Sequence, residues 1–284
     1  MTTFVCEDFY SLSGESVLTG IPTVFVRFFG CNMPGCPGFG QPDPADKSTY
    51  HNIEILDVEH SPKYGCDSPK SWCSKFKNLS TPYETGEELY NYLKTKYTFE
   101  QLRNLSITGG EPLLHQKFII ELLNCLYDEC VKLNKDSTIA FETNGSIALT
   151  SDFIYDMFGE KLDKLHFLFN ISPKLNCVAG VDENISIKID TLVKFLEYKK
   201  QNFCDVKLKF VFNGDERAYK RVKEIQSQIN EKIELDPTDI LLMPVGAFDI
   251  DNSIRQKTAE VCLKNNFRYC ERVHTIIWGS KTGV

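Results

Sequence analysis

Residues Phe25–Gly40 read FVRFFGCNMPGCPGFG. Thr23 to Phe28, Thr-Val-Phe-Val-Arg-Phe, is rich in β-branched and aromatic residues and is expected to form a strand. It runs directly into Gly30-Cys31, and four residues separate Cys31 from Cys36. The next cysteine, Cys66, stands in Tyr64-Gly65-Cys66-Asp67-Ser68, with 29 residues between it and Cys36. Without most of the intervening stretch, three cysteines would follow a β-strand in one compact run.

Upstream, Phe4 to Leu12 is expected to be a short strand entering a turn at Ser13-Gly14-Glu15. Residues 32 to 82 are irregular, punctuated by Pro34, Pro37, Pro42, Pro44, Pro62, Pro69 and Pro82. A structureless stretch of this length is uncommon inside a compact domain. Within it, Ile53 to Val58 has strand character.

Downstream, a strand–helix rhythm begins. Thr85 caps a helix to about Tyr97, with Glu87 and Glu88 in its first turn. Strands are expected at Leu105–Thr108, Thr138–Phe141, His166–Ile171, Val206–Phe212 and Ile240–Met243. Helices are expected at Gln116–Leu133, Asp152–Phe158, Ile187–Lys200, from Asp215 to about Asn230, and at Ile254–Asn265. Alternation carried six times implies parallel strands joined by right-handed crossovers, hence an open or closed α/β barrel.

Every unusual polar cluster falls at the C-terminal end of a strand: Cys31, Gly109-Gly110-Glu111, Glu142-Thr143-Asn144, Ser172-Pro173-Lys174 and Met243-Pro244. In α/β barrels that rim is where active sites form. Five such clusters on one rim argue for a site where any one alone would read as a solvated turn.

Composition narrows the function classes. The chain of 284 residues is 42% hydrophobic and 25% charged, with a formal charge of −7. That charge argues against a broad nucleic-acid or anionic-membrane face, because phosphates require clustered Lys and Arg. No apolar run of about 18 residues is present, and no basic, then apolar, N-terminal signal pattern is seen. Eleven cysteines in a chain this long point to free thiols in a reducing cytoplasm. Cys125, Cys130, Cys177, Cys204 and Cys262 fall in apolar contexts and read as small buried hydrophobes.

Three thiolates suit a [4Fe–4S] cluster, because iron favours soft sulfur ligands. Three protein ligands leave one iron open to a chelating amine and carboxylate, and Gly109-Gly110 would let such a ligand approach the backbone closely.

The strand-linked cysteines, Gly109-Gly110-Glu111-Pro112 and the six strand–helix units resemble the radical S-adenosylmethionine superfamily. Within it, the chain resembles the 7-carboxy-7-deazaguanine synthase family. The carrying pieces are Phe9 to Glu15, Val24 to Phe28, Gly30-Cys31-Asn32, Cys66-Asp67-Ser68, Thr108 to Leu113, Glu142 to Gly145, Ser172-Pro173-Lys174, Leu208 to Val211, and Arg272-Val273-His274 with Trp278-Gly279. The resemblance implies a single domain over residues 1–284, a partial (β/α)6 barrel with an N-terminal strand extension. An insertion lies at about 37–64. The superfamily pattern is Cys-x3-Cys-x2-Cys, so the spacing here departs from it. Cys66 is preferred over Cys73 as the third ligand because the family's last cysteine opens Cys-Asp-Thr, matched by Cys66-Asp67-Ser68. Loop closure cost grows only logarithmically with length, so an excursion between ligands is physically tolerable. Ser13 and Ser16 also depart from the family's Gln and second Gly.

By resemblance, Cys31, Cys36 and Cys66 hold the [4Fe–4S] cluster. Gly109, Gly110, Glu111, Glu142, Ser172 and Lys174 bind S-adenosylmethionine. Leu12, Glu15, Arg27 and His274 bind a pterin substrate, and Ser68 ligates Mg²⁺. The implied reaction converts 6-carboxy-5,6,7,8-tetrahydropterin to 7-carboxy-7-deazaguanine with loss of ammonia. The implied partners are an electron donor such as flavodoxin or ferredoxin, with no nucleic acid and no membrane; a homodimer is compatible with it. Two rival readings stand beside it: a glycyl-radical activase, and a zinc-stabilised binding module using Cys31, Cys36, Cys66 and Cys73.

Overall fold

The computed structural model describes residues 2–33, 68–72, 74–246, 250–279, 281 and 283. Cys36, Cys66, Cys73, the expected strand at Ile53–Val58 and the 37–64 insertion lie outside the described residues.

The strands are β1 (Thr3–Leu12), β2 (Pro22–Phe28), β3 (Thr81–Tyr83), β4 (Asn104–Gly109), β5 (Ser137–Thr143), β6 (Leu165–Ile171), β7 (Asp205–Phe212), β8 (Ile240–Pro244) and β9 (Arg268–Tyr269). They form one sheet in the order β3-β1-β2-β4-β5-β6-β7-β8-β9. From β2 to β9 every neighbouring pair is parallel. β1 is antiparallel to both β2 and β3 and is the N-terminal extension. The main helices are α1 (Gly86–Lys96), α2 (Gln116–Leu133), α3 (Ser151–Met157), α4 (Ile189–Lys200), α5 (Glu216–Asn230), α6 (Asn252–Asn265) and α7 (Val273–Trp278). The six strands β2, β4, β5, β6, β7 and β8 are followed in turn by α1 to α6, giving the expected six strand–helix units.

Strand alternation separates two faces. Val206, Leu208, Phe210 and Phe212 of β7 join Ile139 and Phe141 of β5 and Phe167 and Phe169 of β6 in the core shared with the helices. Their neighbours turn to the other side. That inner face carries Arg27, Ser106, Thr108, Glu142, Asn170, Lys207 and Lys209. Parallel strands covered on both faces usually read as continuous apolar runs. The Lys-x-Lys alternation in β7 therefore marks an inner face built for polar contacts.

The sheet must curl. Val273 N–H donates to Gly14 O at 2.8 Å, although β1 and β9 lie seven strand positions apart in the ladder. Seven strand spacings in a flat sheet would separate them by about 33 Å. The two residues after Leu12 and the four after Tyr269 together span at most about 21 Å. Contact between the β1–β2 loop and the C-terminal tail thus bridges the side of the barrel that strand pairing leaves open.

The structure differs from the sequence expectation at the small elements. β3 and β9 have three and two residues, too short to show a period. The tail after Arg272 contains α7, a helix of six residues. No helix among the described residues is long and apolar enough to cross a membrane.

Candidate active site

The C-terminal end of β2 is the first corner. β2 and β4 pair with Arg27 opposite Thr108 and Phe28 opposite Gly109, so Gly30-Cys31 sits level with Gly110-Glu111. Gly110 N–H donates to Phe28 O at 3.2 Å, and Glu111 N–H donates to Gly30 O at 2.7 Å. A Cβ on Gly110 would lie 2.2 Å from Gly30 O and 2.8 Å from Cys31 Cβ. Only glycine lets these two backbones approach so closely. Cys31 Sγ accepts from Met33 N–H at 3.4 Å, a contact that favours a thiolate. A strand-end thiol with a donor on its sulfur, beside a glycine backbone open to a ligand, fits a cluster and its chelated cofactor. The described residues supply Cys31 of the three proposed cluster ligands.

Glu111 is fully buried. Its Oε1 accepts from Leu113 N–H at 3.0 Å and from Thr143 Oγ1 at 2.8 Å; Oε2 accepts from Asn144 N–H at 2.8 Å. Burial pushes its carboxyl up, while these donors and Lys174 oppose that shift. The side chain therefore braces the end of β4 against the end of β5. Asn144 Nδ2 donates to Asn32 Oδ1 at 2.8 Å, and Asn32 Nδ2 donates to Ser146 Oγ at 2.8 Å, which fastens the cysteine loop to the same corner. Farther along the rim, Lys174 Nζ donates to Ser172 Oγ at 2.9 Å.

Arg27 projects from the inner face of β2. Its Nε donates to Glu7 Oε1 at 2.7 Å across the β1–β2 pair, and a terminal nitrogen donates to Ser68 Oγ at 3.3 Å. The guanidinium is thus anchored by one carboxylate and aimed along the inner face beside Ser68. Leu12 stands apart. It pairs with Pro22, five strand positions from Arg27, or about 17 Å along β2.

A second group gathers on the inner face. Lys209 Nζ lies 2.5 Å from Glu15 Oε2 and 3.1 Å from Glu142 Oε2. Asn170 Nδ2 donates to Glu142 Oε1 at 2.8 Å, and Ser16 Oγ donates to Asn170 Oδ1 at 2.5 Å. Ser16 N–H donates to Cys270 Sγ at 3.1 Å. His274 packs on Gly14, where an added Cβ would lie 1.9 Å from its Nδ1. Burial acts to raise the Glu15 carboxyl, but Lys209, Arg272 and His274 outweigh it and hold the group at about 2. Burial acts to lower the Lys209 ammonium, and Glu142 and Glu15 reverse this, leaving it raised. The Cys270 thiol is pushed up to about 11, first by burial and then by Glu15.

The structure thus brings Glu15 and His274 together with Glu142, and Arg27 together with Ser68. Asn170 and Cys270 were not singled out from the sequence, and Lys209 stood there only within the quoted stretch Leu208 to Val211, with no role of its own. The signal for Lys209 was present: a lysine flanked by Leu208 and Phe210 in a strand otherwise destined for burial. Among the remaining cysteines, Cys130 and Cys262 are buried and their thiols are pushed up to about 11, while Cys204 reaches about 12. Desolvation leads in each case, as expected of packing residues.

Residues 62–149 match a family described as a 4Fe-4S single cluster domain. The match spans Cys66-Asp67-Ser68, Gly109-Gly110-Glu111 and Glu142-Thr143-Asn144. A 7-carboxy-7-deazaguanine synthase of Clostridium acetobutylicum is 26% identical over 291 positions, covering 99% of this chain and 98% of that protein. One from Halobacterium salinarum is 24% identical over 277 positions, covering 96% and 89%. The crystal structure of QueE from Escherichia coli superposes with a TM-score of 0.56 at 19% identity, covering 96% of this chain and 95% of that one. The curled, largely parallel sheet has the fold of that structure, and the matched family description points to a 4Fe-4S cluster at the thiol corner. Over nearly its whole length the chain is thus similar to proteins named 7-carboxy-7-deazaguanine synthase, at 24% and 26% identity in these two cases.

Proposed function

We propose that the protein converts 6-carboxy-5,6,7,8-tetrahydropterin to 7-carboxy-7-deazaguanine with loss of ammonia. The observation that carries this reading is the Glu15 carboxylate, held ionised by Lys209 and next in the chain to Gly14, on which His274 packs. An aminopyrimidinone edge presents parallel N–H donors, and a fixed carboxylate accepts such a pair. His274 complements the same edge. At the other end of the inner face, Arg27, steadied by Glu7, offers a fork to the substrate carboxylate. Ser68, beside Arg27, supplies a hard oxygen for Mg²⁺. Leu12 would serve only as an apolar margin. The names of the relatives agree with this reading.

Cys31, Cys36 and Cys66 would hold the cluster. When bound, the cluster and S-adenosylmethionine supply a one-electron route to a carbon radical that takes a hydrogen atom from the substrate. The backbone of Gly109 and Gly110, stiffened by Glu111, holds the methionyl end. Glu142, Ser172 and Lys174 reach the ribose and carboxylate. The curled sheet and the tail keep water from the reacting face. A flavodoxin or ferredoxin would deliver the electron.

The test is anaerobic incubation of reconstituted protein with the carboxytetrahydropterin, S-adenosylmethionine, Mg²⁺ and a reductant, with mass analysis of products. The expected product is 7-carboxy-7-deazaguanine. Cleavage of S-adenosylmethionine with no deazapurine across the pH range would overturn the assignment.

A further inference from the structure

Five side chains and one peptide link close a ring on the inner face. Glu15 Oε2 meets Lys209 Nζ at 2.5 Å, and Lys209 Nζ meets Glu142 Oε2 at 3.1 Å. Glu142 Oε1 accepts from Asn170 at 2.8 Å, and Asn170 Oδ1 accepts from Ser16 at 2.5 Å. Ser16 follows Glu15 in the chain, which completes the circuit. The ring ties β5, β6 and β7 to the β1–β2 loop.

Its members are not equally accessible. The Lys209 side chain is 5% exposed and Asn170 is 1% exposed, while the Glu15 and Glu142 side chains keep 22% and 28%. The ammonium and the amide lie beneath, and the two carboxylates face the interior. A ligand there can touch the carboxylates without reaching the lysine. Ser16 adopts φ 62°, a left-handed conformation that a serine enters only against steric resistance. In that conformation its hydroxyl reaches Asn170 and its N–H reaches Cys270. The turn is therefore held from two elements, which fixes the direction of Glu15.

We propose that Lys209 is a positioning residue that couples the two halves of the site, orienting Glu15 for the pterin and Glu142 for S-adenosylmethionine through a single ammonium. This rests on the substrate and cofactor roles proposed above. An ammonium has three donors and no preferred plane, so it can serve two carboxylates at once. Binding at either carboxylate orders the ring, and the second ligand then meets an already ordered partner. The coupling is positive, and it must be equal in both directions.

The experiment is calorimetry on anaerobically reconstituted protein, with oxidised 6-carboxypterin as an unreactive probe, titrated with and without S-adenosylmethionine. In the wild type, S-adenosylmethionine tightens pterin binding about fivefold or more, and the reverse titration returns the same factor. In Lys209→Met the factor falls to near one while both ligands bind more weakly; in Lys209→Arg part of it returns. Ser16→Gly keeps every charge and removes only the hydroxyl of the ring, so it stays folded by circular dichroism with a reduced factor. If Lys209→Met does not fold, Ser16→Gly decides, and an unchanged factor there overturns the proposal. A wild-type factor of one overturns it too. Wild-type protein that binds no pterin overturns the substrate reading and this proposal with it. Wild-type coupling that survives in both variants overturns this proposal alone.

Discussion

Lys207 and Lys209 are two residues apart on β7, both point to the inner face, and both are buried, yet they serve different regions. Lys207 Nζ meets Asp239 Oδ1 at 2.7 Å and Asp205 Oδ1 at 3.0 Å; Lys199, at the end of α4, also meets both aspartates. That lower cluster balances two cations with two anions, and Asp239, just before β8, has a side chain only 5% exposed. Lys209 instead meets two glutamates that retain access to the interior. In the lower cluster each carboxylate meets two ammoniums, although Asp205 keeps 45% of its side chain exposed, so the cluster is closed on itself at the base of the barrel. In the upper one two carboxylates share a single ammonium and keep acceptor capacity for a ligand. Burial of lysine alone does not mark a site; the number of carboxylates that share it does.

The comparison can be broken at several points. The largest expected effect lies at the rim: Cys31→Ala should lose iron and all product formation while the fold is retained, as read by iron content and circular dichroism. Next, Glu15→Gln should lower kcat/KM about 100-fold, in line with loss of a charged hydrogen-bond acceptor of about 2–3 kcal/mol. The same variant tests the pH dependence. The Glu15 carboxyl is depressed from 4.5 to about 2, so its pairing stabilises the fold above pH 4.5 and that contribution is lost as pH falls toward 2. Thermal melts across that range should show a smaller acid-induced loss in Glu15→Gln than in the wild type. The smallest effect is expected at Cys204→Ser. It should cost about 1 kcal/mol through a half-buried hydroxyl, with unchanged turnover.

The strand–helix rhythm made the fold legible. Five rim clusters could be placed because each lies at the C-terminal end of a strand or within three residues of it, and the helix caps at Thr85, Thr150, Asp215 and Asp251 sit where chain chemistry puts them. The inner ring was less legible. Glu15 and Lys209 are 194 residues apart and meet only because the sheet curls, which no local period encodes. Glu111 lay inside a quoted motif, but its role as a brace depends on Thr143 and Asn144 arriving from the next strand. Arg27 was assigned to the substrate by resemblance, and its anchoring by Glu7 needed the antiparallel register of β1 and β2.

The contrast between the two lysines is tested most directly by measuring melting temperature and 6-carboxypterin affinity in Lys207→Met and Lys209→Met side by side. Lys207→Met should lose about 3 kcal/mol of stability, chiefly through the buried Asp239, which keeps only Lys199 as its cation, with pterin affinity close to wild type. Lys209→Met should lose at least tenfold in affinity with the smaller loss of stability, because solvent reaches Glu15 and Glu142. Equal losses of affinity in the two variants, or an affinity loss confined to Lys207→Met, would contradict the division between a self-closed cluster and a ligand-facing one.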